Sequence, residues 1–325
     1  MKAIVYTEYG PPDVFQLKEV ATPTPSDDEV LVKIHAASVY AGDWHALTGS
    51  PFYLRLFSGF RGPRNEILGD DVAGRVEAVG RDVHGFQPGD EVFGISNGGA
   101  FAEFKCVPEK WLARKPANVP YEEASTVPAA AITALQGLRD KGQIQAGQRV
   151  LINGASGGVG TFAVQLAKSF GAEVTGVCST SKADLVRSIG ADHVIDYTKD
   201  DFTNSGQRYD LIFAVAGSRS ISDYRRALRP QGIYVCAGGS TAQYFQATLL
   251  GPLLSIVGNK KMCGMLGIPK QDDLAFLIEL VQDGRLKPVI DRRFPLSEVP
   301  EALRYYGEGR VRGKIVITVE HNDRS

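Results

Sequence analysis

Val150-Leu151-Ile152-Asn153-Gly154-Ala155-Ser156-Gly157-Gly158-Val159-Gly160 is the stretch on which the fold turns. A run of buried-strand residues enters a glycine-rich turn, and a helical segment follows. Glycines let backbone N–H groups approach a pyrophosphate, and the helix N-terminus adds unsatisfied donors and a favourable dipole. Counted back from Gly160, the Gly-x-Gly-x-x-Gly fingerprint needs glycine at 155. The chain has Ala155 there, with Gly154 beside it to supply flexibility. A glycine-rich turn alone marks no more than a tight strand-to-helix connection. Its place at the head of a strand–helix series points to a dinucleotide site, with Ser156, Gly157, Gly158, Val159 and Gly160 against the phosphates.

Downstream, the sequence predicts a helix over 158–170, a strand over 173–178 and a helix over 182–189. Strands follow over 193–195 and 210–214, then a helix over 220–228 and a strand over 232–237. Such alternation implies right-handed crossovers and a parallel sheet. Upstream, residues 121–138 read as helical with a break at Pro128. Before them, runs at 30–36, 72–80, 91–94 and 101–107 read as strands of a mostly antiparallel β domain. A helix over 271–284 and a strand over 314–319 close the chain, and the late strands are expected to return to the first domain. The expected division is 1–120 with 270–325 for the β domain and 121–269 for the dinucleotide domain.

Composition sets bounds on partners. The chain has 325 residues, a formal net charge of -1, 43% hydrophobic and 22% charged residues. That is ordinary globular composition for two domains, and it gives no electrostatic support to a nucleic-acid or membrane-surface partner. The apolar stretch 247–257 is too short to span a bilayer and contains Pro252. The start, Met1 to Tyr6, shows no signal-peptide pattern. Cys106, Cys178, Cys236 and Cys263 are far apart and form no Cys-x-x-Cys pair, so a reducing, cytoplasmic setting is expected.

The tip of the second strand, Val177-Cys178-Ser179-Thr180-Ser181-Lys182, carries no acid to bond ribose hydroxyls. Its hydroxyls and ammonium suit a 2′-phosphate, which favours NADPH over NADH. The same residues also read as a helix N-cap and a solvated charge, and both readings can hold together.

Together these segments resemble the medium-chain dehydrogenase/reductase superfamily, and within it the zinc-independent quinone oxidoreductase-like branch. The markers are Gly69-Asp70-Asp71-Val72-Ala73-Gly74-Arg75-Val76-Glu77-Ala78-Val79-Gly80, Pro88-Gly89-Asp90-Glu91-Val92, the turn at 155–160, Gly190-Ala191-Asp192-His193-Val194-Ile195-Asp196-Tyr197 and Gly313-Lys314-Ile315-Val316-Ile317. The resemblance implies an α/β fold: a Rossmann doubly wound parallel sheet and a GroES-like mostly β domain formed from both chain ends, with a cleft for nicotinamide and substrate. It assigns the 2′-phosphate to Ser179, Lys182 and Tyr197, and puts Thr133 close to the nicotinamide. Gly238 and Lys314 complete the expected cofactor-binding set. It also implies a homodimer joined at the sheet edge near 261–266. Where the alcohol dehydrogenase branch holds zinc with a Cys, a His and a further Cys or Asp, this chain has Tyr40, Asp70 and Ala129, so no metal is expected. A set made of His35, His45, Asp70 and Asp71 matches no zinc spacing.

The expected reaction is hydride transfer from nicotinamide C4 to a quinone or to the β carbon of an α,β-unsaturated carbonyl. The product enolate then needs a donor near its oxygen and a proton at the α carbon, whereas a hydroquinone needs protons on oxygen. Tyr40 and Tyr53 are candidates to supply them, and Asp43 is a candidate to orient a tyrosine, a water or the cofactor ribose. Two alternatives stand beside this reading: an NADPH-binding structural or regulatory protein without turnover, and a zinc alcohol dehydrogenase.

Overall fold

The structure, a computed structural model, describes residues 1–257 and 259–321. The chain forms two compact units. Residues 1–129, 269–284 and 290 onward make the first, and residues 130–268 with 285–289 make the second. In chain order the strands are β1 (Lys2–Val5), β2 (Gln16–Glu19), β3 (Glu29–Val39), β4 (Asp71–Val79), β5 (Glu91–Ile95), β6 (Phe104–Pro108), β7 (Leu112–Arg114), β8 (Arg149–Asn153), β9 (Glu173–Cys178), β10 (His193–Asp196), β11 (Tyr209–Ala214), β12 (Leu228–Cys236), β13 (Lys261–Gly264), β14 (Ile290–Pro295) and β15 (Lys314–Thr318).

In the second unit every neighbouring pair is parallel, in the order β10-β9-β8-β11-β12-β13. The central strands are continuous buried runs, Val150-Leu151-Ile152 in β8 and Leu211-Ile212-Phe213-Ala214 in β11. Strands covered on both faces require such runs. The helix Gly158–Ser169 buries Phe162, Ala163, Val164, Leu166 and Ala167. Strand order reverses between β8 and β11, because the chain steps outward from β8 through β9 to β10 before crossing back. In open parallel sheets that switch point is where ligands sit, at the carboxyl ends of the strands.

The first unit holds a seven-stranded sheet, β14-β15-β3-β4-β5-β7 with β6 also paired to β3. All pairings are antiparallel except β14 with β15. β3, at 11 residues, is long enough to meet β15 at one end and β6 at the other while β4 runs along it. Register shifts against β4 at Leu31/Val32 and Ile34/Ala36 bend it. Ile34, Val72, Val92, Phe101, Ile315 and Ile317 are among its core residues, so the two chain ends share one core.

Two details differ from the sequence reading. The helix Tyr121–Thr126, expected to open the dinucleotide domain, packs on β3, β4 and β15 and buries Ala124, Ser125 and Thr126 in the first unit. Pro128, which lacks the N–H a continuing helix would use, starts a separate helix, Pro128–Gln136. The division therefore falls at 129/130. Residues 285–289 in turn join the second unit, where Gln165 bonds both backbone groups of Lys287 at 3.0 and 2.8 Å. Among the described residues no helix is long and apolar enough to cross a membrane.

Candidate active site

β8 ends at Asn153 and the chain turns through Gly154 at φ 91°, a conformation L side chains rarely adopt. A Cβ on Gly160 would lie 2.0 Å from the Gly154 carbonyl oxygen, so the helix starts this close to the strand only with glycine there. Ala155, where the fingerprint asks for glycine, is fully buried. Its methyl is accommodated because Gly176 on β9 has no side chain; a Cβ there would lie 3.0 Å from it. Gly157 caps the helix in extended conformation with no side-chain cap, and a Cβ on it would meet nothing nearer than 3.6 Å. Helix geometry leaves the first-turn N–H groups of Gly158, Val159 and Gly160 without an intrahelical acceptor. The turn thus offers a cradle of donors of the kind a pyrophosphate takes, and Ser156 sits buried within it. Asn153 steadies the floor by donating to the Ala216 carbonyl at 3.0 Å and to the Tyr224 hydroxyl at 2.7 Å.

The tips of β9 and β10 lie side by side, Asp196 opposite Cys178. Ser179 and Lys182 follow β9 in a turn closed by the Lys182 N–H on the Ser179 carbonyl at 3.0 Å. Tyr197 follows β10, donates its N–H to the Cys178 carbonyl at 3.1 Å, and keeps 58% of its surface exposed. These three residues therefore gather at the strand ends that also bear the glycine-rich turn. Gly238 lies past the end of β12, its carbonyl accepting from Cys236 Sγ at 3.3 Å. Thr133, half-buried on the helix Pro128–Gln136, packs against Gly267, where a Cβ would lie 2.6 Å from its Oγ1.

One residue here escaped the sequence reading. Thr180 donates its hydroxyl to Asp196, so a carboxylate does stand at the tip of β9, supplied by the neighbouring strand. Its other oxygen accepts the Thr198 N–H at 3.0 Å and hydroxyl at 2.6 Å, and Lys199 approaches at 3.7 Å. The hydroxyls of Thr180 and Thr198 hold its pKa down to about 2, so it is ionised at neutral pH. The signal that finds it is the parallel pairing of consecutive strands, not the composition of β9.

In the first unit, Tyr40 is the N-cap of the helix Ala41–Thr48. Asp43, 2% exposed, accepts the Tyr40 N–H at 3.0 Å and the Gly69 N–H at 2.9 Å. It ties the end of β3 to the approach of β4, so it positions Tyr40 through the backbone. Burial and the nearby charge of Asp70 push its carboxyl well above the ordinary range, against those two N–H groups. The Tyr40 ring folds over Gly42, where a Cβ would lie 2.0 Å from the phenol oxygen, and its hydroxyl donates to Asp70. Asp71 accepts from Ser38 Oγ at 2.7 Å, from Lys314 Nζ at 3.0 Å and from the Ala129 N–H at 2.8 Å. Lys314, expected among the cofactor residues, is 2% exposed and serves as the buried counter-ion of Asp71. Tyr53 is half-buried on the turn Phe52–Leu54. Exposed Phe52 in that turn and exposed Phe60 further along the chain meet ring to ring, edge-on, at 5.8 Å.

The three positions that the resemblance matches to zinc ligands have other partners. Tyr40 and Asp70 are bonded to each other, and Ala129 offers only a backbone N–H, already on Asp71. No thiolate or imidazole stands among them, and these are the donors catalytic zinc takes. His35 stacks on Tyr121 at 4.6 Å, and His45 bonds the Ser50 carbonyl at 2.7 Å. Among the described residues no group of three or more His, Cys, Asp or Glu is placed to hold a metal ion.

A GroES-like β unit joined to a parallel dinucleotide-type sheet is the architecture of the medium-chain dehydrogenases/reductases, and the chain belongs to that superfamily. Residues 26–117 match the model for the alcohol dehydrogenase GroES-like domain, and residues 189–317 match the model for zinc-binding dehydrogenases. Within the superfamily it stands with the quinone oxidoreductases and is an oxidoreductase. A chloroplast envelope quinone oxidoreductase homologue from Arabidopsis thaliana is 33% identical, the match covering 98% of each chain. An NADPH-dependent alkenal/one oxidoreductase, chloroplastic, from the same plant is 32% identical over 98% of this chain and 79% of its own. The quinone oxidoreductase from Coxiella burnetii superposes with a TM-score of 0.87 at 30% identity, covering 98% of this chain and 99% of its own.

Proposed function

We propose that the chain is an NADPH-dependent, zinc-independent reductase of quinones or α,β-unsaturated carbonyls. The observation that carries this is the pairing of a glycine cradle with Ser179, Lys182 and Tyr197 at the same strand ends. When bound, NADPH supplies the hydride. Ser156 to Gly160 hold its pyrophosphate with backbone donors, and Thr133 and Gly238 complete its bed. Ser179, Lys182 and Tyr197 hold the 2′-phosphate. The ionised Asp196 opposes that phosphate, while Lys199 offsets it and the threonine hydroxyls occupy its oxygens. The relative named as an NADPH-dependent alkenal/one oxidoreductase supports the cofactor and the acceptor class. Tyr40 and Tyr53 are the hydroxyls assigned to the acceptor oxygen, with Asp43 positioning Tyr40. Zinc independence is supported by the Tyr40, Asp70 and Ala129 donor set.

The working form in this proposal is a cytoplasmic homodimer. β13 is the edge of the second unit's sheet, and Leu249, Leu253, Ile256, Leu266 and Ile268 around it are each at least 60% exposed. Pairing two copies would cover both the open strand and the apolar side chains; a monomeric mass at micromolar concentration would end this part of the proposal.

The test of the reaction is NADPH and NADH consumption side by side, against one quinone and one enone, with and without chelator. Fast, chelator-insensitive NADPH oxidation is expected. Activity lost to chelator, or a preference for NADH, would overturn zinc independence or the cofactor assignment respectively.

A further inference from the structure

Reduction of a carbonyl-bearing acceptor needs a proton as well as a hydride, and one hydrogen-bonded pair in the first unit is built to hold and replace one. Tyr40 and Asp70 are each half-buried and bonded hydroxyl to carboxyl. Asp43, Asp70 and Asp71 crowd the same corner, and two of the three are otherwise satisfied. Asp71 has Lys314, Ser38 and the Ala129 N–H; Asp43 has the Tyr40 and Gly69 N–H groups. Asp70 faces the Tyr40 hydroxyl, the Gly98 N–H and the more distant charge of Lys105. Burial pushes the Asp70 carboxyl above its ordinary value and the Asp71 charge adds to this, while Tyr40, Gly98 and Lys105 pull it back in part. Burial and the charges of Asp70, Asp43 and Asp71 push the Tyr40 hydroxyl well up.

The two groups therefore depend on each other. A tyrosine bonded to an ionised carboxylate keeps its proton. The same tyrosine beside a protonated carboxyl can give its proton away and at once receive another. Gly42 makes the arrangement possible, because a side chain there would occupy the place of the phenol oxygen.

We propose that Tyr40 and Asp70 form the proton donor of the reduction, Tyr40 delivering the proton and Asp70 replacing it. This rests on the reductase reading and deepens it. Hydride brings one hydrogen and two electrons to the acceptor carbon, and the carbonyl oxygen becomes anionic. The Tyr40 O–H bond breaks as an O–H bond forms on that oxygen. The Asp70 O–H bond breaks as that of Tyr40 reforms, and water later returns a proton to Asp70.

The experiment measures kcat/KM for an enone and a quinone between about pH 5 and 9, at saturating NADPH, with NADPH affinity read separately by fluorescence. The wild type is expected to be most active at low pH and to fall about tenfold per unit once Asp70 ionises. Tyr40→Phe is expected to lose roughly 10²-fold or more with NADPH affinity kept. Asp70→Asn is expected to be slow and flat across the range. Gly42→Ala, which keeps both side chains but expels the ring from its place, is expected to lose the same descending limb and decides the matter if Asp70→Asn fails to fold. A wild-type limb retained in Asp70→Asn or Gly42→Ala, or near-normal turnover in Tyr40→Phe, overturns the pair. NADPH bound but left unoxidised by the wild type with both acceptors sinks the reductase reading itself, which is a different result.

Discussion

The turn at 154–160 in the second unit is made almost wholly of backbone, whereas the group around Asp71 in the first is made of side chains drawn from positions 38, 40, 43, 70, 71 and 314. The first works by what is missing: with no side chain at Gly160 its helix starts close to a strand, and the first-turn N–H groups of that helix have no intrahelical acceptor. The second works by crowding, with three carboxyls in one corner and a single buried ammonium on one of them. Substitution should therefore damage the two in different currencies, ligand affinity in one and folding stability or proton supply in the other.

The largest effect should come from Lys314→Ala. Asp71 is fully buried, and removing one partner of such a pair leaves an uncompensated charge that costs roughly 3–5 kcal/mol. Thermal melting of the variant without ligand should show it; an unchanged melting temperature would mean that Ser38 and the Ala129 N–H suffice. Gly160→Ala should come next. Its Cβ would meet the Gly154 carbonyl oxygen, and such overpacking costs about 1–3 kcal/mol. Because the strain falls on the cradle itself, NADPH affinity should drop about tenfold or more, where a tenfold loss is about 1.4 kcal/mol. Wild-type affinity in this variant would detach the cradle from the cofactor. The smallest effect should be that of Asp196→Asn. Removing a negative charge at the tip of β10 should move the NADPH-to-NADH ratio of kcat/KM a few-fold toward NADPH, less at high salt. A move toward NADH would mean that Asp196 only organises its threonines.

The same contrast governs what could be read from the chain alone. β8, β9 and β11 are legible because strands buried on both faces need unbroken apolar runs, and their ends mark where the glycines must lie. The departure at Ala155 is explained only by Gly176, on the next strand, whose missing side chain makes the room. Asp196 was hidden for a related reason: it is remote from Thr180 along the chain and becomes its neighbour only through the β9–β10 register. The Tyr40 group was half legible. The resemblance singled out positions 40 and 70, and the local spacing of Tyr40 and Asp43 suits a helix start. That Tyr40 bonds Asp70, and that Lys314 belongs to Asp71, depends on antiparallel pairing across β15, β3 and β4, which no local pattern encodes.

The pairing of β15 with β3 also bears on how the chain is made. A ribosome releases the second unit's sheet strands, β8 to β13, as one uninterrupted segment, which can collapse while synthesis continues. The first unit has no such freedom. β3 emerges early, yet one end of it stays an open edge until β15 appears. Over the same interval Asp71 has no ammonium beside it, because Lys314 follows it by 243 residues. The nascent β unit thus stays short of completion until β15 has been synthesised, which brings the missing strand and the counter-ion of Asp71 together.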